Sequence, residues 1–127
     1  MRLFLAVPTP ALADQLRVGL AAFGDIEIDA EQGVLALEKI RRADIDGLII
    51  ALDPAAPDHD SLVEQVRRDM PQLDVIVVGH DAALAKLRED KVRGRIFALL
   101  GLPLEPVDFF RTIRRLRERR AAAARGR

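Results

Sequence analysis

The chain has 127 residues, of which half are hydrophobic, 4% aromatic and 31% charged. That length holds one domain around a Leu, Ile, Val and Ala core, and the aliphatic content argues against disorder. The lack of cysteine excludes a disulfide scaffold, a thiol nucleophile and Cys-ligated metal or iron–sulfur sites. No apolar run approaches the ~18 residues of a membrane span, and the start MRLFLAVPTP lacks the longer apolar stretch of a signal peptide, so a cytoplasmic location is expected. The zero net charge conceals an asymmetry: 111–127 holds eight Arg against Glu118, which leaves twelve basic and nineteen acidic residues in 1–110, a net of −7.

RLFLAV (2–7) is a continuous aliphatic run, the pattern of a strand buried on both faces. Thr9-Pro10 supplies an N-cap and a first-turn proline. Leu12, Leu16, Leu20 and Phe23 follow at helical spacing, and Gly24 is expected to stop the helix. DIEIDA (25–30) alternates strictly and predicts a half-exposed edge strand. A helix over 31–43 is expected to turn Val34, Leu37 and Ile40 inward, with Lys39, Arg41 and Arg42 in water.

GLIIAL (47–52) is a second apolar strand, followed by DPAAPDHD as a loop. Ser61-x-x-Glu64 predicts a capping box opening a helix through Leu62, Val63, Val66 and Met70, ended by Pro71. DVIVVG (74–79) is the third apolar strand. A short helix over 81–90 leads to RIFALLG (95–101), and Pro106 opens a last helix with Phe109, Phe110, Ile113 and Leu116 apolar. The pattern is (βα)₅, an α/β flavodoxin-like doubly wound parallel sheet. With DIEIDA at an edge, the expected strand order is 2-1-3-4-5. The functional crevice of such a sheet lies beyond the carboxyl ends of the strands, which directs attention to the loops after Val7, Leu52, Val78 and Leu100.

Three segments carry a family resemblance: Asp46-Gly-Leu-Ile-Ile entering the third strand, Met70-Pro71-Gln-Leu-Asp-Val-Ile-Val-Val entering the fourth, and Leu102-Pro103-Leu104-Glu105-Pro106-Val107-Asp108-Phe109 leading to the last helix. Over roughly 1–119 the chain resembles a two-component response-regulator receiver domain. The resemblance implies an aspartate phosphorylated at the end of the third strand, an acid pair after the first strand that helps hold Mg²⁺, a Ser or Thr after the fourth and a lysine after the fifth. At those positions this sequence has Ala51, Pro8 with Thr9, Gly79 and Leu102. With every role empty, the Mg²⁺ and phosphoryl charges lack compensation. The expectation is a pseudo-receiver that is not an enzyme and needs no cofactor or metal. Asp53, two residues beyond Ala51, is the alternative phosphoacceptor if the strand continues; otherwise Asp53-Pro54 opens a turn. The resemblance also implies a cis bond before Pro103 and a bacterial origin.

Other chemistry is thin. Asp58-His59-Asp60 gathers possible metal ligands, but adjacent side chains rarely converge on one ion, and the segment reads as a solvated loop. After the fourth strand, His80-Asp81 reads as a loop histidine and an N-cap aspartate. The tail, residues 120–127, is read as a helical extension or the start of a linker to a further domain, or as a partner-docking helix. Nucleic-acid binding is a weaker alternative that the −7 body opposes. Receivers commonly use the face of the fourth helix, fifth strand and fifth helix for partners. Here that face would present Leu87, Lys91, Arg114, Arg117 and Glu118, with Leu87 or Phe110 supplying affinity if uncovered. The expected role is a phosphorylation-independent protein-interaction domain of a signalling or scaffold protein, homodimeric through that face, with no membrane contact.

Overall fold

The computed structural model describes residues 1–31, 34–42, 44–53 and 58–125. Five strands form one parallel sheet in the order β2-β1-β3-β4-β5. They are β1 (Arg2–Ala6), β2 (Glu27–Glu31), β3 (Gly47–Ala51), β4 (Asp74–Gly79) and β5 (Ala98–Gly101). The continuous aliphatic runs became the central strands because both of their faces are covered. Every residue of β3 and β4 is buried, whereas the alternating 25–30 segment forms the edge strand β2.

The helices are α1 (Pro10–Leu20), α2 (Val34–Arg42), α3 (Asp58–Asp69), α4 (Asp81–Ala85), α5 (Arg88–Val92) and α6 (Pro106–Arg125). One core lies between the sheet and the helices α1 and α6, with Leu3, Leu5, Leu16, Leu20, Ile49, Ile76, Phe109, Ile113 and Leu116 at its centre. The other lies on the opposite face, where Phe4, Ile40, Leu48, Ile50, Leu62, Val66, Val75 and Val77 meet. Two adjacent core side chains on one strand point to opposite layers, the period-2 rule seen in Leu3 and Phe4. Gly19 of α1 approaches the Phe109 ring so closely that a Cβ there would lie 2.7 Å from it. Glycine at this position therefore sets how near α1 comes to α6.

Local expectations failed at several element ends. The helix expected to open at Ser61 begins at Asp58, which places Ser61 inside α3 and leaves no capping box; Glu64 instead pairs with Arg67 at 3.2 Å. Asp58-His59-Asp60 thus lies in the first turn of α3 rather than in a loop, and its side chains are outside the described residues. So are those of Val34 and Leu37, and Pro54 itself. Helix α1 ends at Leu20, before Gly24, and Phe23 folds back into the core with its N–H donating to the Leu20 carbonyl. The helix expected over 81–90 is divided into α4 and α5. At α4 the N-cap is His80, not Asp81, and it makes no side-chain cap bond. Likewise Thr9 caps α1 in extended geometry without a side-chain bond. The Leu102-Pro103 bond is cis. The last helix runs unbroken through the expected 119/120 boundary to Arg125.

Candidate functional site: the two ends of the sheet

The carboxyl ends of β1 and β3 open onto a crevice of about 500 Å³. Its walls are Pro8, Thr9, Ala11, Leu12, Gln15, Ala51, Leu52, Asp53, His80 and Leu102. Register places these residues together. The β3 strand runs level with β4, so Ala51 pairs with Val78, and Leu52 continues the ladder by donating its N–H to the Val78 carbonyl at 2.8 Å. Gly79 aligns with Gly101, and Leu102 donates its N–H to the Gly79 carbonyl at 3.0 Å. Four of the five positions singled out from the sequence, Pro8, Thr9, Ala51 and Leu102, line this crevice, and Gly79 ends the neighbouring strand.

The crevice lining is mainly aliphatic, with Thr9, Gln15, Asp53 and His80 as its polar members. Ala51 is 1% exposed at the position where a phosphoacceptor would stand. Leu102 is half-buried and packs on the α1–α6 core. Asp53 lines the crevice and is the one carboxylate among its described lining residues, which include no lysine or arginine. His80 is exposed at its rim. Among the described residues, no cluster of three or more His, Cys, Asp or Glu side chains is arranged to hold a metal.

The opposite end of the sheet is crowded with charge. Asp25 precedes β2, Asp46 precedes β3, and Asp74 opens β4, so the parallel topology gathers all three at the amino end of the sheet. Arg117 reaches both carboxylate oxygens of Asp25 at 3.0 Å. Arg120 lies 3.4 Å from Asp46 and 3.7 Å from Asp74, and Arg119 lies 3.5 Å from Asp74. Asp74 is 6% exposed. Asp46 also accepts the Arg2 backbone N–H at 2.9 Å. Three arginines of the last helix, Arg117, Arg119 and Arg120, are thus paired with aspartates of the acidic body. Sequence reasoning treated the tail and the body separately and missed this ring. The available signal was an aspartate within two residues before, or at the head of, three strands consecutive in sequence.

The expected interaction face is divided. Leu87 is half-buried against the core on the α3 side, and Lys91 is exposed on α5. Arg114, Arg117 and Glu118 line a separate crevice of about 610 Å³ with Met1, Asp25, Asp46 and Arg120. Phe110 is 41% exposed and stacks on Phe23, with ring centroids 4.9 Å apart, which places it on the α1 side of α6.

Solved structures with the same architecture share this topology. The signal receiver domain of an HD domain-containing protein from Pseudomonas fluorescens Pf-5 superposes with a TM-score of 0.79 at 17% identity, covering 98% of this chain and 91% of that one. The chain has the receiver fold. A sensor protein from Polaromonas sp. JS666 matches at 23% identity and TM-score 0.73, covering 91% of this chain and 94% of that one. RcsB from Salmonella enterica serovar Typhimurium, solved bound to promoter rprA in the presence of phosphomimetic BeF3-, matches at 21% identity and TM-score 0.73. This chain covers 62% of that structure's chain, with 93% of its own residues aligned. No family model and no curated protein matches. Within the receiver fold, the crevice described above occupies the carboxyl end of the sheet, where the strand order reverses between β1 and β3. Among the described residues no helix is long and apolar enough to cross a membrane.

Proposed function

We propose that the chain is a pseudo-receiver: a non-enzymatic protein-interaction domain of two-component signalling whose state does not depend on phosphorylation. The observation that carries this reading is the lining of the carboxyl-end crevice. Phosphoryl transfer to a carboxylate concentrates negative charge that a metal ion and a fixed cation must offset. Among the described lining residues one carboxylate, Asp53, stands with Pro8, Thr9, Gln15, Ala51, Leu52, His80 and Leu102, and there is no acid pair to hold Mg²⁺ and no lysine or arginine. A phosphoryl group formed there would meet mainly aliphatic walls, with Thr9, Gln15 and His80 as its other polar neighbours.

The second reading, a divergent receiver phosphorylated on Asp53, is favoured by one observation: Asp53 does reach this crevice. An amide NMR titration with Mg²⁺ and then beryllofluoride separates the two. The pseudo-receiver reading expects the amides of Thr9, Ala51, Asp53, Gly79 and Gly101 to stay in place. Joint, saturating movement of Asp53 and Gly79 would overturn it and make Asp53 the residue to mutate. The nucleic-acid reading loses support from the pairing of Arg117, Arg119 and Arg120 with acids of the same chain. Retention on DNA that vanishes on removing 119–127 would restore it.

A further inference from the structure

The crevices of this molecule differ in how their charges are met. The one of about 610 Å³ at the amino end holds Arg117 with Asp25 and Arg120 with Asp46. Another, of about 390 Å³, holds Arg67 with Glu64 and Asp90. At the carboxyl end the described lining carries the Asp53 carboxylate and no lysine or arginine. The polarity there is graded from the strand ends outward. Ala51 and Leu52 are buried, whereas Leu12, Leu102 and Asp53 are half-buried. Thr9 and Gln15 are exposed.

The elements around the crevice add more acid than base. α1 carries Asp14 and Arg17, α4 carries Asp81, and Glu105 and Asp108 follow Leu102 before the next cation, Arg111. The Asp81 carboxylate stands beside Gly101, 3.9 Å from where a Cβ would lie. Such a site repels an anion and favours a cation. Mg²⁺ is poorly served, because it demands near-octahedral oxygen coordination and aliphatic walls supply none. An organic ammonium is better matched. Its three N–H donors meet side chains that bear acceptor oxygens, Asp53, Thr9 and Gln15, and its own apolar body suits Leu12, Leu52 and Leu102. The volume of about 500 Å³ falls within the roughly 300–1,000 Å³ of small-molecule pockets. Its place is the switch point at which open α/β sheets take ligands.

We propose that the carboxyl-end crevice binds a small organic ammonium, its head on Asp53, Thr9 and Gln15 and its apolar body against Leu12, Leu52 and Leu102. This rests on the pseudo-receiver reading and names the class of ligand that the crevice takes in place of a metal ion and a phosphoryl group.

Amide NMR titration of the chain with benzylammonium chloride, up to about 50 mM because a fragment of this size binds weakly, tests it. Saturating shifts are expected at Thr9, Gln15, Asp53 and Leu102, with benzoate inert and benzyl alcohol bound about tenfold more weakly. Asp53→Asn should lower the benzylammonium affinity about tenfold and erase its advantage over benzyl alcohol. Gln15→Lys, at an exposed position, should weaken binding in the same direction without disturbing the fold. The absence of a saturating response, an equal response to benzyl alcohol, or indifference to Asp53→Asn overturns the proposal. Nα-acetyl-lysinamide carries the same head in the form a protein side chain presents. Tighter binding of it than of benzylammonium would give the crevice to a partner's lysine and overturn the small-molecule assignment. Saturating movement with Mg²⁺ and beryllofluoride refutes the pseudo-receiver reading and this site with it. Silence toward both beryllofluoride and benzylammonium refutes this site and leaves the pseudo-receiver reading intact.

Discussion

The two ends of the sheet gather different kinds of side chain. At the carboxyl end, where charge would be needed for chemistry, the crevice is walled by Pro8, Ala51, Leu52 and Leu102 with Asp53 alone as a carboxylate. At the amino end, Asp25, Asp46 and Asp74 meet Arg117, Arg119 and Arg120 in a paired ring. Both ends are built by the same parallel topology, which collects strand starts on one side and strand ends on the other. The lesson is that a sheet end is a place for converging groups, and the residue types there decide whether convergence serves reaction or cohesion.

Substitutions that move charge between the ends sharpen this contrast. The largest effect is expected from Ala51→Asp, which puts a carboxylate at a 1% exposed position with no lysine or arginine among the described residues of the crevice lining. It should cost about 3 kcal/mol in urea unfolding. Retention of wild-type stability would mean the crevice is wetter or better compensated than its lining implies.

At the other end, the paired Arg119→Ala and Arg120→Ala change leaves Asp74, 6% exposed, without its cations. An unpaired buried charge costs more than the pair contributes, but both arginines are part-exposed and screened, so about 2 kcal/mol is expected. The reciprocal Asp74→Ala should cost less, about 1 kcal/mol, because Arg119 and Arg120 can turn to water. Equal losses from the two changes would show that Asp74 is solvated rather than held. Raising salt should narrow the difference at the amino end and leave the Ala51→Asp effect unchanged.

The smallest effect belongs to Arg2, which bridges Glu27 and Asp29 at 3.7 and 3.5 Å on the edge strand. All three side chains are well exposed, so Arg2→Ala should change stability by about 0.5 kcal/mol or less in thermal melts. A larger loss would mark the β2 edge as a cohesive element comparable to the Asp74 ring.

The sequence alone determined the strands, their order and the residues at the carboxyl end. Buried parallel strands read as unbroken aliphatic runs, and the family resemblance of Asp46-Gly-Leu-Ile-Ile places Ala51 at the phosphoacceptor position without coordinates. Helix boundaries were less legible, because a local motif such as Ser61-x-x-Glu64 competes with longer-range packing. Leu62, Val63 and Val66 are buried whichever residue starts the turn. Phe23 illustrates the same limit: at helical spacing from Leu20, it enters the core from a turn beyond the helix end.

What only the tertiary structure decided is which charges meet and which apolar residues stay uncovered. Arg117 and Asp25 are 92 residues apart, and Arg120 and Asp46 are 74 apart. Nothing in their local sequence pairs them until the sheet brings three strand starts beneath one long helix. Phe109 and Phe110 are neighbours of the same type, yet one is 1% and the other 41% exposed. That division follows from where α1 crosses α6, which Gly19 sets by lacking a side chain.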